Sequence, residues 1–353
     1  MIGLGIVGLG RWANAHAAAA ARSDEVEFVT CFARSEASRQ AFKDAHGIGS
    51  SANSLKELVS DPRVRAVVVS SPNDVHASQI KTVVEAGKPV LVDKPMSVDV
   101  SEGLDVLRLA SLAPVGVAHH ARRLAGHRAA KAWVESGAGQ VRTAHGDFSN
   151  SRGGSMKPDA WHRSVRGSEA GVLIQVGIHQ VDTLLYLLGP VRSVNARFAY
   201  GALGREIPDA ALVTMEHVSG AMSTVSSSWT TPSHYRTDLL ATGGNLMFTL
   251  DHGHWSSGDV DDYGTLTLDT GDGAPTTFPI DKGDPLRDQL EGLGRAAADG
   301  TPMTVDAMAG LRAVAVVEAA VLSAARRGAP VEMEHLLRRA GGTVEEVETF
   351  LNG

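Results

Sequence analysis

Through the first third of the chain, short runs rich in Val, Ile and Leu alternate with alanine-rich stretches of helical period. Residues 4–7, 27–32, 66–70, 89–92 and 115–118 predict strands, and residues 13–22, 35–46, 54–59, 75–86 and 101–113 predict helices between them. Such alternation builds βαβ units, in which consecutive strands lie parallel under covering helices. Gly87 follows the fourth helix, where a residue tolerant of left-handed backbone ends it at low cost.

Past residue 118 the period changes. A helix at 126–136, a glycine-rich loop around Gly153 and Gly154, and a long helix at 172–188 closed by Gly189-Pro190 come first. Alternating runs at 191–200, 211–217, 220–229, 235–241, 246–250 and 265–268 then predict consecutive strands of an antiparallel sheet, and helical regions follow at 285–298 and 305–327. A sheet with helices on one face leaves the other uncovered. Val213, Met215, Val225 and Trp229 lie in strands that would build that face, so self-association through it is expected.

A length of 353 residues suits two domains. With 33 Lys and Arg against 40 Asp and Glu, the net charge is −7, and no basic surplus points to nucleic acid or an anionic membrane. Cys31 is the one cysteine and forms no intrachain disulfide, so a reducing, cytoplasmic setting is expected. The apolar start of the chain lacks any Lys or Arg before Arg11 and is interrupted by glycines, unlike a signal peptide. The apolar run 314–325 carries Glu318 and is short of the ~20 residues that span a bilayer, so no membrane crossing is expected.

The strand at 4–7 runs directly into Gly8-Leu9-Gly10-Arg11-Trp12-Ala13 and then a helix, the G-x-G-x-x-A form of the dinucleotide fingerprint in its required context. Gly8 permits the tight turn, Gly10 admits the pyrophosphate to the backbone, and Ala13 lets helix and strand pack closely. Backbone N–H groups of the helix start, at Arg11 and Trp12, then face the phosphates. An NAD site carries Asp or Glu at the end of its second strand to bind the adenosine ribose. Here the strand ends in Ala33, with Arg34 and Ser35 beside the gap and Arg39 one turn further on. A guanidinium in place of a carboxylate suits a 2′-phosphate, so NADP is the preferred cofactor and NAD the alternative.

Two further stretches bear chemistry. Asp93-Lys94-Pro95 stands at the carboxyl end of a predicted strand, the edge of such a sheet where ligands bind. His179 and Asp182 are three apart on one predicted helix. With the fingerprint, with Ser71-Pro72-Asn73 followed by His76, with Ala86-Gly87-Lys88-Pro89, with Trp161, and with Val316-Val317-Glu318-Ala319 and Ser323 near the end, these residues resemble the glucose–fructose oxidoreductase / inositol dehydrogenase / rhizopine-catabolism (Gfo/Idh/MocA) family over nearly the whole chain.

The resemblance implies an α/β fold. A Rossmann dinucleotide-binding domain over 1–120 is followed, over 121–353, by an α+β substrate-binding and oligomerisation domain with a large open, mostly antiparallel sheet. It implies hydride transfer between NAD(P) and a secondary hydroxyl or carbonyl of a sugar, cyclitol or related polyol, and a homodimer or homotetramer. The family's lysine falls on Lys94, with Asp93 in place of the usual Glu, and its active-site histidine on His179. Ser71, Pro72, Asn73, His76, Asp93 and Lys94 itself join the cofactor-binding residues. Many members place Asp four residues before that histidine, where this chain has Gln175, which cannot serve as an anionic proton acceptor.

Lys94 and His179 are therefore the expected catalytic pair. An imidazole with an ordinary pKa of ~6.5 suits proton transfer near neutrality, and an ammonium suits a developing alkoxide. His119, His120, Arg122, Lys157, Trp161, His162, Gln175 and His179 itself are candidates to meet substrate hydroxyls. The cluster Asp251-His252-Gly253-His254 lacks accompanying metal-ligand spacing, and no metal is expected. Two alternatives keep the fold: a non-catalytic regulator that senses the nucleotide's redox state, and an enzyme that retains its cofactor and uses transient oxidation for elimination or glycoside cleavage.

Overall fold

The computed structural model describes residues 1–137, 139–155, 169–202, 207–250, 264–280 and 283–352. The chain divides into two compact units. The first comprises Met1–Val98, Glu102–His120 and Asp284–Leu311, and the second Asp99–Ser101, Ala121–Gly283 and Arg312–Gly353.

The first unit holds β1 (Ile2–Val7), α1 (Arg11–Ala20), β2 (Val26–Phe32), α2 (Glu36–His46), β3 (Ser50–Ser51), α3 (Leu55–Ser60), β4 (Ala66–Val69), α4 (His76–Glu85) and β5 (Val90–Val92), then most of α5 (Val100–Leu109) and β6 (Val115–Val117). Its six strands form a parallel sheet in the order β3-β2-β1-β4-β5-β6, with the chain crossing from one side of β1 to the other. Loops at the carboxyl ends of β1 and β4 flank that reversal, where open α/β sheets bind ligands. β4 is buried at every position, as a strand covered on both faces requires. Sequence order alone puts 284–311 in the second domain. Its helix Pro285–Asp299 instead turns Leu286, Leu290 and Leu293 into the cluster of Leu4, Ile6, Ala17 and Ala20, and small alanines on α1 make room for it.

The second unit contains α6 (Ala125–Glu135), β7 (Val141–Ser149), a π-helical turn (Leu173–Gly177) continuing into α7 (Ile178–Leu188), β8 (Val191–Ala199), β9 (Ala210–His217), β10 (Met222–Ser228), β11 (His234–Ala241), β12 (Gly244–Thr249), β13 (Thr265–Asp269) and β14 (Thr276–Phe278). After α8, the helix Pro285–Asp299 of the first unit, come α9 (Ala307–Ala325), β15 (Val331–Glu332), α10 (Met333–Arg339) and α11 (Val344–Asn352). The nine-stranded sheet runs β14-β13-β12-β11-β7-β10-β9-β8-β15 and is antiparallel except where β7 and β10 pair parallel. The central strand β7 escapes the sequence pattern because its VRTAHGDFS mixes charged and glycine positions into the alternation. Gly146 is required there: a Cβ would stand 2.7 Å from the Gln180 side chain, whose Nε2 donates to the Asp147 and Arg236 carbonyls and pins α7 to the sheet.

The expected association face needs correction. Val213, Met215, Val225 and Trp229 are all buried within the chain. The opposite, outward row carries Leu212, Thr214 and Glu216 of β9 opposite Ser226, Thr224 and Met222 of β10, and Leu212 and Met222 are about half exposed, at 52% and 54%. The alternation was sound, but the apolar set is the one that the helices cover. α9 lies within the helical region expected at 305–327 and is by length and composition apolar enough to cross a membrane, although the apolar run 314–325 alone is too short to do so. Some 67% of its apolar window is buried inside the protein, as in a core helix.

Candidate functional site

In the first unit, β1 is followed by Gly8, whose φ of +80° is left-handed; a Cβ there would lie 2.5 Å from the Ser71 backbone nitrogen. Its N–H donates to the Phe32 carbonyl at 2.9 Å, while Ser70 N–H donates to Val7, so the loops after β1, β2 and β4 are tied together. Gly10 is different. A Cβ on it would meet nothing within 4 Å, so it borders open space at the start of α1, which has no side-chain cap and no acidic residue in its first turn. A bare helix N-terminus beside that opening fits a pyrophosphate. Ala13 is buried, and the Trp12 ring lies 5.4 Å from that of His120 with the Arg11 guanidinium 5.8 Å from the Trp12 centroid.

Beyond β2, Arg34 is exposed. Ser35 Oγ accepts from Ser38 N–H at 3.3 Å and caps α2, and Arg39 donates to the Ala33 carbonyl at 2.8 Å and to Asn53 Oδ1 at 3.3 Å. Arg39 thus steadies the turn that presents Arg34. After β4, Ser71 Oγ donates to Gln79 Oε1 at 2.6 Å, Pro72 precedes the buried Asn73, and both ring nitrogens of buried His76 face backbone carbonyls, Pro95 at 2.7 Å and Ser71 at 2.8 Å. His76 therefore staples this loop to the segment after Lys94. Burial pushes its pKa down, against those carbonyls and the nearby Asp93 and Asp74.

Asp93 and Lys94 follow β5. Burial pushes the Asp93 carboxyl up, but the His16 imidazole, the hydrogen bonds from His16 and Ser70, and His76 outweigh it and hold the group below the ordinary range. Burial brings the Lys94 ammonium down to about 8, opposed by Asp93. His119 and His120 follow β6 and are buried; burial, with His16 next in size, pushes His120 down to about 3, so that ring is neutral in any physiological buffer. The sequence reading missed His16 and Ser70. A polar residue on the buried alanine stripe of α1, three after Ala13, was the available signal.

In the second unit, Arg122 Nε and one terminal nitrogen donate to the two Asp182 oxygens at 2.8 and 2.7 Å, and the guanidinium lies 5.4 Å from the Tyr186 ring centroid. Much of Arg122's donor capacity is therefore engaged by the protein itself. Gln175 sits partly exposed in the π-helical turn. Gly177 is required there because a Cβ would meet Ser227 Oγ at 2.6 Å. His179, 3% exposed, packs its ring 5.8 Å from that of Phe148. Lys157, Trp161, His162 and the 251–254 cluster lie outside the described residues. Among the described residues no group of three His, Cys, Asp or Glu side chains is placed to hold a metal ion.

Residues 2–119 match the family model for the oxidoreductase family with an NAD-binding Rossmann fold, and residues 127–247 that for the GFO/IDH/MocA C-terminal domain. The chain is 27% identical over 347 residues to 1,5-anhydro-D-fructose reductase of Ensifer adhaerens, covering 94% of this chain and 98% of that protein. It is 27% identical over 166 residues to the NADP(+)-dependent scyllo-inositol 2-dehydrogenase of Bacillus subtilis (46% and 44%). Among solved structures, an oxidoreductase from Desulfitobacterium hafniense superposes with a TM-score of 0.90 at 28% identity, covering 95% and 99% of the two chains. Levoglucosan dehydrogenase in complex with NADH and levoglucosan shares the fold, with a TM-score of 0.82 at 19% identity, covering 94% of this chain and 98% of that one.

Proposed function

Because this chain belongs to the Gfo/Idh/MocA family of NAD-binding oxidoreductases, we propose that it interconverts a secondary hydroxyl and a carbonyl on a sugar, cyclitol or related polyol, with NADP as the preferred cofactor. The observation that carries this reading is the first unit's cradle, in which the open Gly10 turn, the uncapped start of α1 and the Asp93-Lys94 pair belong to one parallel-sheet edge. The relatives' substrates, an anhydro sugar and an inositol, give the substrate class. When bound, the nicotinamide supplies or accepts a hydride at its C4.

The chain's own residues divide the remaining work. Backbone N–H groups at 10–13 hold the pyrophosphate, and Arg34, steadied through Arg39, takes the 2′-phosphate by charge-assisted hydrogen bonds. A carboxylate at Ala33 would repel that phosphate. Lys94 Nζ, as an ammonium, hydrogen-bonds the reacting oxygen and lowers the cost of alkoxide character there. His179 exchanges the proton of that oxygen. Gln175 is an amide at a position where many members carry Asp, so it orients a hydroxyl and takes no proton. His120, neutral throughout, and the remaining donors of Arg122 are assigned to substrate hydroxyls, with Lys157, Trp161 and His162 as further candidates from the sequence.

Steady-state turnover with NADPH and NADP across a panel of ketoses, anhydro sugars and inositols tests the reading. Dinucleotide binding without turnover on any of them, or no net cofactor consumption by a protein that copurifies with nucleotide, would overturn it. We further assign self-association to the outward row around Leu212 and Met222. Sedimentation as a 37.0 kDa species at micromolar concentration would contradict that assignment.

A further inference from the structure

α1 is built of alanine where it is buried, at Ala13, Ala17, Ala19 and Ala20, yet His16 on the same side is 0% exposed. A buried imidazole is costly unless it is hydrogen-bonded. Its Nε2 lies 2.8 Å from Asp93 Oδ1, an acceptor 77 residues along the chain, so Nε2 carries the donated proton. Nδ1 is buried without a hydrogen-bond partner in the described structure, so the ring's polar role runs through Nε2 alone. The other Asp93 oxygen accepts from Ser70 Oγ at the end of β4, and Asp93 N–H donates to the Val69 carbonyl at 2.8 Å. The carboxylate next to Lys94 is thus held from α1, from β4 and by its own backbone.

We propose that His16 is a positioning residue for Lys94: through Nε2–H it fixes the Asp93 carboxylate in the place from which that carboxylate supports the lysine ammonium. The inference rests on the role assigned to Lys94 above. The groups that bear on this carboxylate and ammonium are His16 from α1, Ser70 after β4, His76 from α4, and His119 and His120 after β6, with Asp74 acting on His76. Among the carboxylates of this set, Asp93 is the one that opposes the effect of burial on Lys94. A carboxylate free to rotate away would give weaker and variable support.

The reach of the side chain makes the idea separable from packing. Glutamine carries an amide N–H three bonds beyond Cβ, as histidine carries Nε2, whereas asparagine ends at the level of the unpartnered Nδ1. The test is the pH dependence of Lys94 acetylation by acetic anhydride on the full chain, read by mass spectrometry of the Lys94 peptide without substrate or nucleotide. D93N should lower the midpoint by about one pH unit or more. H16L and H16N should move it the same way by a smaller amount, and H16Q should restore the unaltered value. Unchanged midpoints in H16L and H16N, even with lowered melting temperatures, would reduce His16 to a packing residue, and an unchanged midpoint in D93N would remove the link altogether. H16N carries the comparison with H16Q if H16L does not fold. Because labelling needs no turnover, an active Lys94→Ala variant would overturn the role of Lys94 while leaving this result standing.

Discussion

Asp93 in the first unit and Asp182 in the second are both shielded carboxylates close in sequence to a proposed catalytic side chain, and they are held in opposite ways. Asp93 is held by an imidazole and a hydroxyl, and its charge acts on Lys94. Asp182, whose side chain is 0% exposed, meets a guanidinium fork from Arg122. A fork of opposite charge engages both oxygens and makes the carboxylate an anchor, fixing the helix that carries His179 to the segment before α6. The difference teaches that two shielded carboxylates do different work according to their partners: Asp93 supports the charge of Lys94, whereas Asp182 ties down a guanidinium.

The most severe test removes the groups that the two regions are proposed to present. Lys94→Ala and His179→Ala should each lower turnover by about 10²–10⁴-fold, the range of positioned acid–base groups, while NADP binding measured by calorimetry stays within a few-fold. Near-normal turnover in either variant would break the assignment. The anchor is tested next: Arg122→Met leaves Asp182 buried with its charge unopposed and should cost about 3–5 kcal/mol in a denaturant melt, and adding Asp182→Leu should recover much of that. Equal stability of Arg122→Met and the unaltered chain would show that water reaches the pair.

Arg34 extends the comparison to an exposed guanidinium, proposed above to meet the 2′-phosphate. Arg34→Ala should weaken NADP by roughly ten- to hundredfold, the worth of charge-assisted bonds of about 1.5–3 kcal/mol, with little change for NAD. Ala33→Asp should turn the preference toward NAD, and tighter binding of NAD by the unaltered protein would show that Arg34 serves no phosphate. The smallest effect sharpens the electrostatics. Burial disfavours the charged lysine, so the ammonium, present at low pH, is lost as pH rises through about 8. Turnover that needs it should fall by about tenfold per pH unit above that point. A rate still flat at pH 10 would mean that Lys94 acts without its proton.

Much of this was legible in the chain. The glycine fingerprint, the strand-helix alternation and the lysine after β5 are local features whose spacing carries their geometry. The outward face of the second sheet was not. Alternation tells which residues share a face, and Val213, Met215, Val225 and Trp229 do, but helices packed from elsewhere decide which face is wet. β7 was hidden for a similar reason, since its polar and glycine positions make sense only opposite Gln180.

By itself, then, the sequence determined the family and the glycine turn and singled out Lys94 and His179 as the pair proposed to be catalytic, because these depend on residues within a few positions of one another or on order along the chain. Tertiary structure decided that residues 284–311 complete the first unit, that Arg122 answers Asp182, and that His16 reaches Asp93 across 77 residues. Hydrogen bonds between distant segments depend on side-chain direction to within an ångström, and periodicity records which side of a helix is buried without recording what waits there.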